Sequence, residues 1–175
     1  FIGKVGRDTT GDFFEQALDN LGIEPVIFRG EQRSGKCVSL ISPDGERTML
    51  THLGAALEMK AEEISADIFK GYDCLYVEGY LVQDHTLIES VIRTAKRCGL
   101  KVAIDLASFN VVEENLDFLR QLVGNFVDIV FANEDEAKEA LLNKLYSTKK
   151  LDFEHEEPQI ITDKSGTSIL KFSTH

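Results

Sequence analysis

The chain has 175 residues, 43% of them hydrophobic, which is enough for one substantial core and, at this length, one domain or one domain with an appendage. Thirty acidic against 19 basic residues leave a net charge of -11, which argues against an electrostatic grip on nucleic acid or anionic lipid and favours a small-molecule partner. Cys37, Cys74 and Cys98 form no C-x-x-C pair and so suggest neither a disulfide framework nor a zinc site; they fit a reducing cytoplasm, and no apolar run approaches the roughly 20 residues of a membrane span.

The chain opens on Phe1 with no basic-then-apolar leader, and Gly3-Lys4-Val5-Gly6 reads as the interior of a domain, so a fragment of a longer protein is expected. Asp8 or Thr9 is placed to cap a helix in which Phe13, Phe14, Ala17, Leu18 and Leu21 recur at helical spacing, one face towards a core, with Gly22 to end it. From Pro25 to about His52 the pattern turns to β: Val26-Ile27-Phe28, Cys37 to Ile41 and Thr48-Met49-Leu50, the last two joined by the turn chemistry of Ser42-Pro43-Asp44-Gly45. A small antiparallel insert over 24–53 is therefore expected.

Beyond Gly54 short apolar strands alternate with amphipathic helices. A helix over 61–69 precedes Cys74-Leu75-Tyr76-Val77; a helix over 84–98, stopped by Gly99, precedes Lys101-Val102-Ala103-Ile104; a helix over 112–123, closed by Gly124, precedes Asp128 to Ala132. This alternation predicts an α/β fold with a mainly parallel sheet covered on both faces, its core built from 1–23 and 54–175. Lys144 to Pro158 is polar and poorly periodic, a loop or badly ordered connection. Gln159 to Thr162 and Ser168 to Phe172 read as a strand pair joined near Gly166.

Ligands of open parallel sheets bind beyond the carboxyl ends of the strands. The three clearest strands are followed at once by Glu78, Asp105 and Asn133, whose oxygens suit sugar hydroxyls and Mg²⁺. Strands also end in polar residues simply because the chain surfaces, and Asn133-x-x-Glu136 is equally a helix capping box. Gly30-Glu31-Gln32-Arg33-Ser34-Gly35-Lys36 has P-loop spacing, but Cys37 stands in place of the Mg²⁺-binding hydroxyl and β-like residues follow where a helix is needed, so it is rejected as a phosphate loop and Lys36 is expected to be solvated. Arg47 follows the hairpin turn: such an arginine usually lies on a surface, unless the insert brings it to an anionic ligand.

Taken in order, Gly3 to Phe14, Ser34-Gly35, Pro43 to Met49, Leu53-Gly54-Ala55, Glu78-Gly79-Tyr80-Leu81 and Asn133-Glu134-Asp135-Glu136 resemble the ribokinase-like (PfkB) sugar and nucleoside kinases. Within that family, Arg47-Thr48-Met49 with Glu78-Gly79-Tyr80-Leu81 is most similar to the bacterial adenosine-kinase-like branch. The resemblance implies a three-layer α/β/α sandwich whose β insert acts as a lid and often pairs with the lid of a second subunit. It implies that Glu78 contacts a sugar hydroxyl, with Asp105 and Arg47 beside the substrate, and that Asn133 and Glu136 organise Mg²⁺ and phosphate largely through water. It places Thr162 and Gly166 on the ATP side, although the turn between them is one residue shorter than the family's. The family's opening Gly-Gly segment and its Gly-Ala-Gly-Asp turn, which carries the catalytic base, are absent from these residues. The parent protein is thus expected to be a kinase for a sugar or nucleoside, cytoplasmic and binding neither nucleic acid nor membrane, while this chain alone is inactive. The alternative is a non-catalytic sugar- or nucleoside-binding relative.

Overall fold

The computed structural model describes residues 1–132 and the backbone of 159–162 and 168–171; Asn133, Glu136, Gly166 and the stretch from Lys144 to Pro158 lie outside the described residues. The chain divides into two compact units, Phe1–Glu63 and Ile64–His175.

The first unit opens with strand β1 (Ile2–Gly6), helix α1 (Thr9–Asn20) and strand β2 (Val26–Gly30), and β1 and β2 pair in parallel with Lys4 opposite Phe28. Val26 to Phe28 therefore belong to a βαβ unit and not to an antiparallel insert: α1 carries the chain back to the same end of β1, so the returning strand runs in the same direction. Asp8 caps α1, accepting the Gly11 amide at 2.9 Å. The apolar side of α1 is less covered than its spacing predicts. Leu18 is buried, whereas Phe13 and Leu21 are 72% and 75% exposed and Phe14 meets Phe1 edge to face. What fixes α1 is ionic, since Arg29 of β2 donates to the Gly6 carbonyl and to the carboxylates of Asp12 and Glu15. Strands β3 (Ser34–Ile41) and β4 (Arg47–Gly54) form the antiparallel hairpin expected from the turn residues, with Val38 opposite Leu50 and Gly45 at φ 88°.

The second unit holds a five-stranded sheet in the order β5-β6-β7-β9-β8. Its strands are β5 (Cys74–Val77), β6 (Lys101–Asp105), β7 (Ile129–Ala132), β8 (Gln159–Thr162) and β9 (Ser168–Lys171). The first three are parallel, β9 is antiparallel to β7, and β8 is antiparallel to β9. Helix α2 (His85–Arg97) is followed by Gly99 at φ 86°, the stop expected from sequence, and Asp84, expected inside the helix, caps it instead by accepting the Leu87 amide. The helix expected over 61–69 is instead two short 3-10 turns, Ala61–Glu63 and Ala66–Phe69, broken where Ser65 takes an extended conformation. The next helix starts early and divides at Asn115 into α3 (Phe109–Glu114) and α4 (Leu116–Phe126), so Gly124 lies inside α4 and does not end it. Val77, Ile104 and Val130 stand side by side on one sheet face and are buried, and α2 packs against β6. Each such side chain contributes about 1.5–3 kcal/mol by leaving water. Asp128 ties the layers together, taking the Val102 amide at 2.6 Å and the Lys96 ammonium at 2.8 Å.

Candidate functional site

Register decides what stands at the carboxyl ends of the parallel strands. Val77 lies opposite Ile104, and Asp105 opposite Phe131, so Glu78 follows β5 level with Asp105. Because side chains alternate along a strand, Tyr76, Glu78, Ala103, Asp105 and Phe131 share the face opposite the helix-packed core. Tyr76 and Phe131 meet edge to face at 5.7 Å. Adjacent strands run about 4.8 Å apart, which brings the two carboxyl groups within strong electrostatic range. Glu78 is exposed, yet the partial loss of water around it at the strand end pushes its carboxyl modestly above the ordinary carboxylate range, and the charge of Asp105 adds to the shift. The Tyr76 phenol, 57% exposed, is raised in the same direction, first by partial desolvation and then by Asp105 and Glu78.

The loops beyond these strands are fitted to one another. A Cβ on Gly79 would stand 2.1 Å from the Asp105 carbonyl oxygen and 2.9 Å from the Ala107 Cβ, so only glycine lets the chain leaving Glu78 lie against the chain leaving Asp105. The Asp105 carboxylate accepts the Ala107 amide at 2.6 Å, whereas Glu78 accepts no hydrogen bond from a described residue. Of the residues singled out from sequence, the structure brings Glu78 and Asp105 together. Arg47 opens β4 in the other unit, exposed and opposite Ile41. Thr162 ends β8 opposite Ser168, its side chain outside the described residues, as are Asn133, Glu136 and Gly166. Gly79 could have been suspected from its place after Glu78; nothing in the sequence marks Ala107.

The P-loop-like segment fails for a physical reason that the sequence did not show. The Glu31 amide donates to the Glu58 carboxylate at 2.7 Å and the Gln32 amide to the same group at 3.3 Å, so the turn's donors already hold an internal anion. Ser34 is 3% exposed, donating its hydroxyl to Asp8 at 2.6 Å while accepting the Gly6 amide, and Lys36 is exposed on β3. Among the described residues no group of three or more His, Cys, Asp or Glu side chains could hold a metal ion, and no helix is long and apolar enough to cross a membrane.

The sequence profile of the pfkB family of carbohydrate kinases matches residues 1–161. The chain belongs to that family. Guanosine-inosine kinase of Escherichia coli K12 is 33% identical over 129 residues, a match covering 68% of this chain and 30% of that protein. The adenosine kinase of Sinorhizobium meliloti superposes with a TM-score of 0.71 at 29% identity, covering 86% of this chain and 46% of that one. An E. coli protein assigned as ribokinase II and solved with ATP and Mg²⁺ shares the fold at 18% identity and a TM-score of 0.67, over 77% of this chain and 46% of that one. As a pfkB-family member the chain thus has the ribokinase-like α/β fold expected of it, and it spans between about a third and a half of the length of these relatives.

Proposed function

We propose that the protein transfers the γ-phosphate of ATP to a hydroxyl of a nucleoside or sugar, with purine nucleosides the favoured class because guanosine-inosine and adenosine kinases are among its relatives. The observation that carries this reading is the pair Glu78 and Asp105 at adjacent parallel strand ends, Glu78 raised in proton affinity and accepting no described hydrogen bond. An ionised carboxylate is purely an acceptor, so such a pair suits the vicinal hydroxyls of a sugar ring, each donating one hydrogen bond. Phosphoryl transfer relies on positioning and charge stabilisation, with a base to take the hydroxyl proton. Glu78 and Asp105 would do the positioning, and Arg47 would approach the substrate from a hairpin lid formed within 24–53. Asn133 and Glu136 would organise Mg²⁺ through water, and Thr162 and Gly166 would line the ATP side; bound Mg²⁺ would supply charge to the phosphates. The lid would also be the surface through which two copies pair. Three exposed, unbridged cysteines agree with a reducing cytoplasm.

These residues contain no Gly-Ala-Gly-Asp turn to provide the base, so 1–175 alone should not turn over. A second reading is a non-catalytic relative that binds sugar or nucleoside. Incubating the full-length protein with Mg-ATP and adenosine, guanosine, inosine, ribose or fructose separates the two. Phosphorylation of a nucleoside or sugar, with Glu78→Gln raising its KM by about tenfold or more and leaving the KM for ATP nearly unchanged, is the expected result. Binding without turnover would replace the kinase reading by the binding one.

A further inference from the structure

Among the described residues, Ala107 is the only non-glycine at positive φ, 61°. The Ser108 amide donates to the Leu106 carbonyl at 2.7 Å, closing a three-residue turn around it. This is the rare hand of the γ-turn, strained for a residue with a side chain. Such strain persists only where the surroundings hold it, and here they do so from three directions. At its root, the Leu106 amide donates to the Phe131 carbonyl of β7 at 3.0 Å. On one flank, the Ala107 Cβ sits against the backbone of Gly79, leaving no room for a side chain there. At its apex, the Ala107 amide donates to Asp105 Oδ1 at 2.6 Å. The turn thus leans on the residue after Glu78 and grips the carboxylate of Asp105.

We propose that Ala107 is a positioning residue for the substrate site: the strained turn around it fixes the Asp105 carboxylate beside Glu78, so that both present oxygens to one sugar. The inference rests on the reading of Glu78 and Asp105 as hydroxyl-binding groups. A turn that merely connected β6 to α3 would gain nothing from an alanine in this conformation, since glycine would adopt it without strain. Glycine, however, is free to leave it.

The test is Ala107→Gly in the full-length protein, read in three ways. Thermal unfolding should shift by no more than about 2 °C in either direction, because relieved strain and lost chain stiffness oppose each other. Protection of the residue-107 amide from hydrogen exchange should fall by about fivefold or more as the turn loosens. The dissociation constant for adenosine, inosine or guanosine, whichever the wild type binds, should rise by about fivefold or more, with that for ATP unchanged. Unchanged protection would overturn the proposal, and so would reduced protection with unaltered nucleoside binding. A lower Tm with nucleoside and ATP binding falling together would also overturn it, by making Ala107 a residue of the fold. A wild type that binds none of the three nucleosides overturns the functional reading and this inference with it, and it is told apart because it fails before any substitution is made.

Discussion

Replacing Gly79 by alanine isolates the fit between the two strand-end loops. Gly79 does not sit at positive φ, so alanine carries no conformational penalty there and the whole cost is steric. The added Cβ would lie 2.1 Å from the Asp105 carbonyl oxygen, 2.8 Å from the Leu106 carbonyl carbon and 2.9 Å from the Ala107 Cβ, where ordinary contact begins at 3.4 Å. Two of these neighbours are backbone atoms, which cannot rotate away as the end of a side chain would. Overpacking in a rigid setting costs about 1–3 kcal/mol, and a clash of more than an ångström with main chain belongs at the top of that range. A loss of about 3 kcal/mol corresponds to about 6–12 °C in Tm for a chain of this size. If the turn over 105–107 yields instead, the stability loss shrinks but the two carboxylates separate, and nucleoside binding falls. Urea titration followed by circular dichroism, paired with a nucleoside-binding isotherm on the same variant, reads both branches. A loss below about 0.5 kcal/mol together with unchanged nucleoside affinity would refute the close packing of the two loops and the site built on it.

Three further outcomes follow from single contacts. Asp105→Asn removes a negative neighbour, so the Glu78 carboxyl should titrate lower than in the wild type, though still above the ordinary range because partial desolvation is the larger cause; carbon-detected NMR of Glu78 checks this, and no movement would separate the pair. Asp8 is held down to about 2, chiefly by the Ser34 hydroxyl and then by the amides of Gly11 and Ser34. A depressed carboxylate stabilises the fold above its unfolded pKa of about 3.9 and loses that contribution as pH falls, so the stability gap between wild type and Asp8→Asn should close between pH 4 and 2, as urea midpoints across that window will show. Glu58→Ala hands the exposed amides of Glu31 and Gln32 to water and should cost about 0.5–1.5 kcal/mol in urea unfolding, whereas Lys36→Ala should leave ATP affinity within about twofold, since no phosphate loop exists there.

The parallel strands of the second unit were legible as short continuous apolar runs, even though Cys74 and Tyr76 of β5 are exposed, and α2 was legible from its apolar periodicity and the stop at Gly99. The failures have local causes. Val26 to Phe28 look like any short β segment, and their direction depends on pairing with β1, which no local pattern encodes. The stretch 61–69 is too short for helical periodicity to outweigh the extended conformation of Ser65. Gly124 carries the composition of a stop signal but lies within α4, where packing of Leu119 and Leu122 outweighs its low helix propensity. At the site, residue type and strand-end position picked out Glu78 and Asp105, which the strand register sets side by side. The turn that braces them did not show, because an alanine advertises neither positive φ nor a hydrogen bond made by its backbone.

Why Glu78, among so many carboxylates, should face a ligand can be argued from what the others do. Asp8 takes the amides of Gly11 and Ser34, Glu58 those of Glu31 and Gln32, Asp84 that of Leu87, Asp128 that of Val102 and Asp105 that of Ala107. Each satisfies a main-chain donor that a cap or loop would otherwise leave open, which accounts for one lone pair of the group; Asp105, held through Oδ1 alone, keeps Oδ2 for a ligand. Glu78 satisfies none among the described residues, yet partial desolvation and Asp105 both press this exposed carboxyl towards its neutral form. A group in that position loses a little stability as pH rises through its elevated pKa, a cost that solvent screening keeps small because Glu78 is exposed, and no described residue offsets it. A donor brought by a ligand would, by favouring the ionised form. Nucleoside binding should therefore lower the Glu78 pKa. Equivalently, affinity should rise with pH across the interval between its bound and free values; an affinity independent of pH there would leave Glu78 without a part in recognition.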